Sequence, residues 1–137
     1  MQERGFTAES IKNYKIGFNP GDHQLCDFKR NLQDWGLEER IKDDGTHQKI
    51  WLPVGFTIPT FLDDGQVVKL KIRRLAWKQN DSLPKYVEIS GSKLSPSVFG
   101  NNQLPVALVL ESEFDGLLTQ QEVADLVYCV ALGGSTS

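Results

Sequence analysis

Residues 105–133, PVALVLESEFDGLLTQQEVADLVYCVALG, constrain the fold of this chain more than any other stretch. The run from Pro105 is apolar up to Leu110 and then delivers a carboxylate, Glu111. Such a run reads as a strand buried on both faces, in a sheet with helices packed over it. Phe114, Leu117, Leu118 and Ala124 then recur at helical spacing, with Gln120, Gln121 and Asp125 turned the other way. A second apolar run, Tyr128 to Leu132, closes on Gly133-Gly134. Strand, helix and strand within about thirty residues make a βαβ unit with a right-handed crossover. Glu111 then stands at the carboxyl end of the first strand, where open α/β sheets place ligands.

The rest of the chain reads as a different kind of structure. Thr7 is an N-cap for a short helix that carries Ile11 and Tyr14, although Ser10 stands where a capping box wants Glu. NPGDHQ, residues 19–24, is a turn. Leu25, Phe28, Leu32 and Trp35 recur every three to four residues, so residues 25–42 read as a helix, with Gly36 as a C-cap. Residues 50–62 are β-branched and aromatic, with two prolines that suit edges or bends. Asp63-Asp64-Gly65-Gln66 is a hairpin turn.

Beyond that turn the pattern alternates. Val68, Leu70 and Ile72 face one way, and Lys69, Lys71 and Arg73 form a cationic row facing the other, with Arg74 and Lys78 added to the cluster. Pro84 to Ile89 is a further short strand. Residues 93–104 are irregular, and the boundary between a first unit, 1–100, and a second, 101–137, is expected there. The fold class is therefore α+β: a mixed subdomain with a β-hairpin, followed by a βαβ unit.

Charge sharpens this division. The net charge is only −3, yet residues 69–93 hold seven Lys/Arg against two Asp/Glu, while 111–137 hold five acids and no base. Like charges on one sheet face repel unless an anion meets them, and phosphate backbones are the usual reason. Read bare, the same row is a solvated edge face that discourages aggregation. Two distant cysteines, Cys26 and Cys129, give no zinc pattern, and Cys129 in its apolar strand reads as a small buried hydrophobe. His23 and His47 read as solvated loop histidines. With no signal peptide or membrane span, a cytoplasmic protein is expected.

LVLESEFDGLL followed by ALGG resembles the opening of a Toprim domain, the magnesium-binding catalytic domain of bacterial-type primases, topoisomerases and related nucleases. Upstream, Arg4-Gly5-Phe6, Ile16-Gly17-Phe18, Ile72-Arg73-Arg74 and Pro84-Lys85-Tyr86 resemble the primase core that precedes Toprim. Lys71-Ile72 stand where that family often has glycines. The resemblance implies a zinc-finger DNA primase that makes RNA primers on single-stranded DNA by metal-dependent nucleotidyl transfer. It implies Glu111 as general base or metal ligand, Asp115 as ligand to Mg²⁺ or Mn²⁺, and Arg73 and Lys85 as phosphate-holding residues. Lys69, Lys71 and Arg74 extend that groove, and Glu113 is expected to face solvent.

A Toprim domain completes its metal site with a later Asp-x-Asp, and none occurs in these 137 residues. Nor is there a zinc module, so zinc is expected only in a segment outside them. The expectation is a piece of a longer polypeptide, inactive alone, with apolar sheet edges that pair with a second copy or pack on the first subdomain. Single-stranded DNA, nucleoside triphosphates and a replicative helicase are the implied partners. The alternatives are a DNA-gripping primase-like module of a mobile element that does not polymerise, a Toprim-type nuclease, and a plain α+β domain.

Overall fold

The computed structural model describes residues 4–22, 27–93 and 96–133; His23, Leu25, Cys26 and Gly134 lie outside the described residues. Thr7 caps α1 (Ala8–Asn13), its side chain accepting from the Ser10 amide, and β1 (Gly17–Asn19) follows. Next come β2 (Phe28–Asn31), a 3₁₀ turn (Leu32–Trp35), β3 (Lys49–Leu52), β4 (Gly55–Phe61), β5 (Val67–Arg74) and β6 (Tyr86–Glu88). They are followed by β7 (Ser97–Phe99), β8 (Ala107–Leu110), α2 (Glu113–Val123) and β9 (Tyr128–Ala131).

The central sheet has the order β1-β4-β5-β6. Its β4–β5 hairpin turns where the Asp-Asp-Gly signal placed it: the Gln66 amide donates to Asp64 Oδ1 at 2.9 Å and Gly65 takes φ +86°. β1 reaches only as far as Thr57, so Pro59 falls where β4 has lost its outer neighbour and needs no amide on that side.

Both faces of this sheet are covered. Leu70 and Ile72 pack with Leu32, Ile50, Leu52 and Ile89, under the two-stranded β2–β3 layer. On the opposite face, Phe56 and Ile58 meet Phe114 and Leu117 of α2, along with Phe6 and Ile16. Phe114 is fully buried, which is worth about 1.5–3 kcal/mol relative to exposure. The alternation of β5 was therefore read correctly, but its cationic face is not open. Lys69 is 5% and Lys71 2% exposed, Lys69 lying against Ser97 of β7 and Lys71 against Glu113 of α2.

Further expectations are corrected. Residues 28–35 form a strand and a 3₁₀ turn rather than a long helix. β2 pairs with β3 along four residues, and the Asp27 carboxylate accepts from Trp51 Nε1 and the Val54 amide at 2.8 Å each, so tertiary pairing overrides the helical spacing. Gly36 still caps that turn, at φ +71°.

Ser97–Phe99, expected to be irregular, is a strand antiparallel to β9. It gives the second sheet the order β7-β9-β8, so that sheet draws on residues ahead of position 101. β8 and β9 are parallel, as a βαβ unit requires. β8, however, is an edge rather than a doubly buried strand, with Val109 61% exposed. On α2, Gln120 is buried, donating from Nε2 to the Val127 carbonyl at 3.3 Å, and Ala124 is exposed just past the last helical residue. Among the described residues no helix is long and apolar enough to cross a membrane.

Candidate anion and metal cleft

The packing of α2 against the central sheet leaves a cleft of about 600 Å³ between the 81–86 segment and the first turn of α2. Lys85, Glu111 and Asp115 all line it, together with Trp77, Tyr86 and Gly133. Local chemistry sets each of them. Glu111 follows the last residue of β8 and is exposed. Ser112 caps α2, its hydroxyl accepting from the Asp115 amide at 3.2 Å, so Asp115 sits in the first turn, where the helix dipole favours an acid. Lys85 precedes β6 and lies over two aromatic faces, its Nζ 5.1 Å from the Trp77 centroid and 5.9 Å from that of Tyr86.

Other cations crowd Lys85. Burial, then Arg73, then Arg4 push the Lys85 pKa below the ordinary lysine value, and Asp115 offsets part of that. Tyr86 is pushed up by burial, with Arg4 and Arg73 opposing. Arg73 Nε is buried with no hydrogen-bond partner among the described residues. Arg4 stacks over Phe114 at 5.2 Å from the ring centroid. Among the described residues none of Arg4, Arg73, Lys85, Glu111 and Asp115 forms a salt bridge. Lys85, penalised by two neighbouring guanidiniums and standing beside two carboxylates that form no salt bridge among the described residues, belongs to an arrangement that an anion with a divalent ion would relieve.

Of the residues singled out in the sequence, Lys85, Glu111 and Asp115 meet in the cleft, and Arg73 stands beside Lys85 and Tyr86. Lys69 and Lys71 do not extend a solvent-facing groove, because they are buried against Ser97 and Glu113. Arg74, on the other face of β5, is held by Asp81 at 3.1 Å and the Leu83 and Pro84 carbonyls, and lies over Trp51. Glu113 does not face solvent: it is 2% exposed and paired with Lys71. Sequence reasoning missed Arg4 as part of the cation group, because only the packing of Phe114 brings the amino-terminal segment there. His47 is paired with Glu39 rather than simply solvated.

The acids fit a hard divalent ion in part. Glu111 and Asp115 offer carboxylate oxygens, but no group of three His, Cys, Asp or Glu among the described residues surrounds a metal position. A divalent ion held by these two acids would need its remaining ligands from water and from a bound phosphate, as Mg²⁺ commonly does.

This α+β arrangement, a four-stranded sheet leading into a parallel βαβ unit, matches part of the solved catalytic cores of bacterial primases. The E. coli primase catalytic core superposes with TM-score 0.60 at 22% identity, over 99% of this chain and 47% of that one. The zinc-binding and RNA polymerase domains of Aquifex aeolicus primase give 0.60 at 18%, over 98% and 36%. A DnaG primase catalytic domain solved bound to single-stranded DNA gives 0.55 at 21%, over 93% and 45%. The chain thus spans less than half of each of these structures. No protein-family model and no curated protein matches it by sequence.

Proposed function

We propose that this chain forms part of the catalytic core of a DNA primase, and that the cleft holds the phosphates of a nucleotide, with a divalent ion, beside a single-stranded DNA template. The observation that carries this reading is the convergence of Lys85, Glu111 and Asp115 on one cleft, with Arg73 and Arg4 acting on Lys85. The fold agrees, since one of the solved primase domains is bound to single-stranded DNA.

In this reading Arg73, Lys85 and Arg4 bind and orient phosphate oxygens, contacts that position but carry no sequence information. Asp115 and Glu111 present oxygens to Mg²⁺ or Mn²⁺, and Glu111 is also placed to take the proton of an attacking hydroxyl. When bound, the ion supplies charge neutralisation for the triphosphate. Trp77 and Tyr86 wall one side of the cleft.

The test is titration of the protein with a nucleoside triphosphate, with and without Mn²⁺, followed by tryptophan fluorescence in the W35F/W51F variant, which leaves Trp77 of the cleft as the one emitter. Binding that tightens with the ion supports the reading; no binding in either condition rejects it. A second reading is favoured by the excess of cations over acids around Lys85: a module that grips DNA without polymerising. It expects steeply salt-dependent DNA binding and no effect of the ion on nucleotide affinity.

A further inference from the structure

Beneath the cleft lies a set of buried charges that the proposed chemistry does not use. Lys71 Nζ is 3.1 Å from Glu113 Oε1 and donates to the Gly133 carbonyl at 2.9 Å. Ser97 Oγ donates to Glu113 Oε1 at 3.4 Å, and Lys69 Nζ reaches Ser97 Oγ at 3.3 Å. Glu88 lies 3.9 Å from Lys69. Lys71 and Glu113 are each 2% exposed. Burying an ion pair costs about as much as the attraction returns, so stability alone does not account for this one.

Its placement is more informative. Lys71 lies on β5 two positions before Arg73, on the same face. Glu113 stands between Glu111 and Asp115, and Gly133 lines the cleft just past β9. One side chain therefore ties the cation-bearing strand both to the turn that carries the acids and to the loop at the far end of the unit. The Gly133 leg is tight: its φ is +88°, and a Cβ there would lie 2.8 Å from Lys71 Nζ.

We infer that Lys71 is a positioning residue, which through Glu113 and the Gly133 carbonyl sets the span between the cations on and beside β5 and the Glu111–Asp115 pair. This inference rests on the reading of the cleft as a phosphate and metal site. An apolar contact such as Phe114 on Ile58 holds the two units together but tolerates sliding. An ion pair with several hydrogen bonds is directional, and the cleft needs that directionality if one ion is to touch both acids and a phosphate held from the opposite wall.

The test compares the unaltered chain with K71M/E113L, which replaces both partners by apolar side chains and leaves no lone buried charge. Two quantities are read for ATP: its affinity without divalent ion, which reports Arg73 and Lys85, and the gain on adding Mn²⁺, followed also by the electron paramagnetic resonance of the ion. The inference expects metal-free affinity within about twofold of the unaltered protein, with the Mn²⁺-dependent gain reduced by about tenfold. A merely structural pair would lower thermal stability and leave the gain intact, and that result overturns the inference. G133A keeps both charges but pushes Nζ off the loop. It is expected to lose part of the same gain, so failure of the double variant to fold does not shield the idea. If the unaltered protein shows no gain with Mn²⁺, the cleft reading itself falls; if it shows one that both variants keep, only the role of Lys71 falls.

Discussion

The Lys71 ammonium meets the Glu113 carboxylate at 3.1 Å where neither side chain is more than 3% exposed. Removing one partner strands the other. K71M alone or E113L alone is expected to cost about 3–5 kcal/mol, whereas K71M/E113L costs far less than the sum. Urea unfolding of the four proteins measures the coupling energy, and a value near zero contradicts the pairing.

Arg73 and Lys85 differ from Arg74, their neighbour on the chain, in what they are committed to. R73Q and K85Q are each expected to weaken polyphosphate or single-stranded DNA binding by about tenfold, the loss of one charge-assisted contact. Because Arg74 is already bonded to Asp81 and two carbonyls, R74Q is expected to loosen the 81–84 segment and lower stability, with a smaller effect on the intrinsic phosphate affinity. Isothermal titration at two salt concentrations separates the cases, since lost phosphate contacts reduce the salt dependence.

Lys85 makes anion binding sensitive to alkaline pH. Burial and the adjacent arginines hold its pKa below the ordinary lysine value, so its charge, and with it phosphate affinity, is lost at lower pH than for a free lysine. The sign for stability is opposite. Between the depressed folded value and the higher unfolded one, the unfolded chain binds more protons, so stability rises as pH rises through that window. K85M is expected to remove both effects: weaker binding, with stability at neutral pH equal to or above that of the unaltered protein. A K85M protein that melts lower at neutral pH while keeping its affinity would refute this.

Glu111 and Asp115 are expected to act on the metal-dependent part of binding alone. E111Q and D115N leave metal-free nucleotide affinity unchanged or slightly tighter, because each removes a negative charge facing the phosphates, and each reduces the gain from Mn²⁺. Equal gains in all three proteins would remove both acids from the ion's coordination.

β8 presents an apolar outer edge, with Leu108 39% and Val109 61% exposed. Such an edge templates strand pairing with a second copy. Sedimentation is expected to show concentration-dependent self-association that V109K suppresses while the melting temperature shifts little. A protein that stays monomeric at high concentration would show the edge to be harmless.

Much of this was legible along the chain because the signals are local. Thr7 caps its own helix, Asp64 and Gly65 turn their own hairpin, and Ser112 with the spacing of Phe114 and Leu117 places α2. The acid pair was legible for the same reason, since strand followed by helix determines where Glu111 and Asp115 emerge. Period alone could not separate helix from strand at Phe28 and Leu32, where pairing with β3 decided the outcome. Nor could it show that Gln120 turns inward.

What the sequence by itself determined is the elements with their own local signals, α1, the β4–β5 hairpin and the β8–α2–β9 unit, and the alternation of β5, because backbone sterics and side-chain period act within a few residues. What only the tertiary structure decided is which side of each element is covered. The row Lys69, Lys71, Arg73 is one pattern in the sequence, yet packing buries the first two against Ser97 and Glu113 and leaves the third beside the cleft. Arg4 comes close enough to act on Lys85, and Val109 is left bare, for the same reason: burial is settled by what packs across a face, and that partner lies far away along the chain.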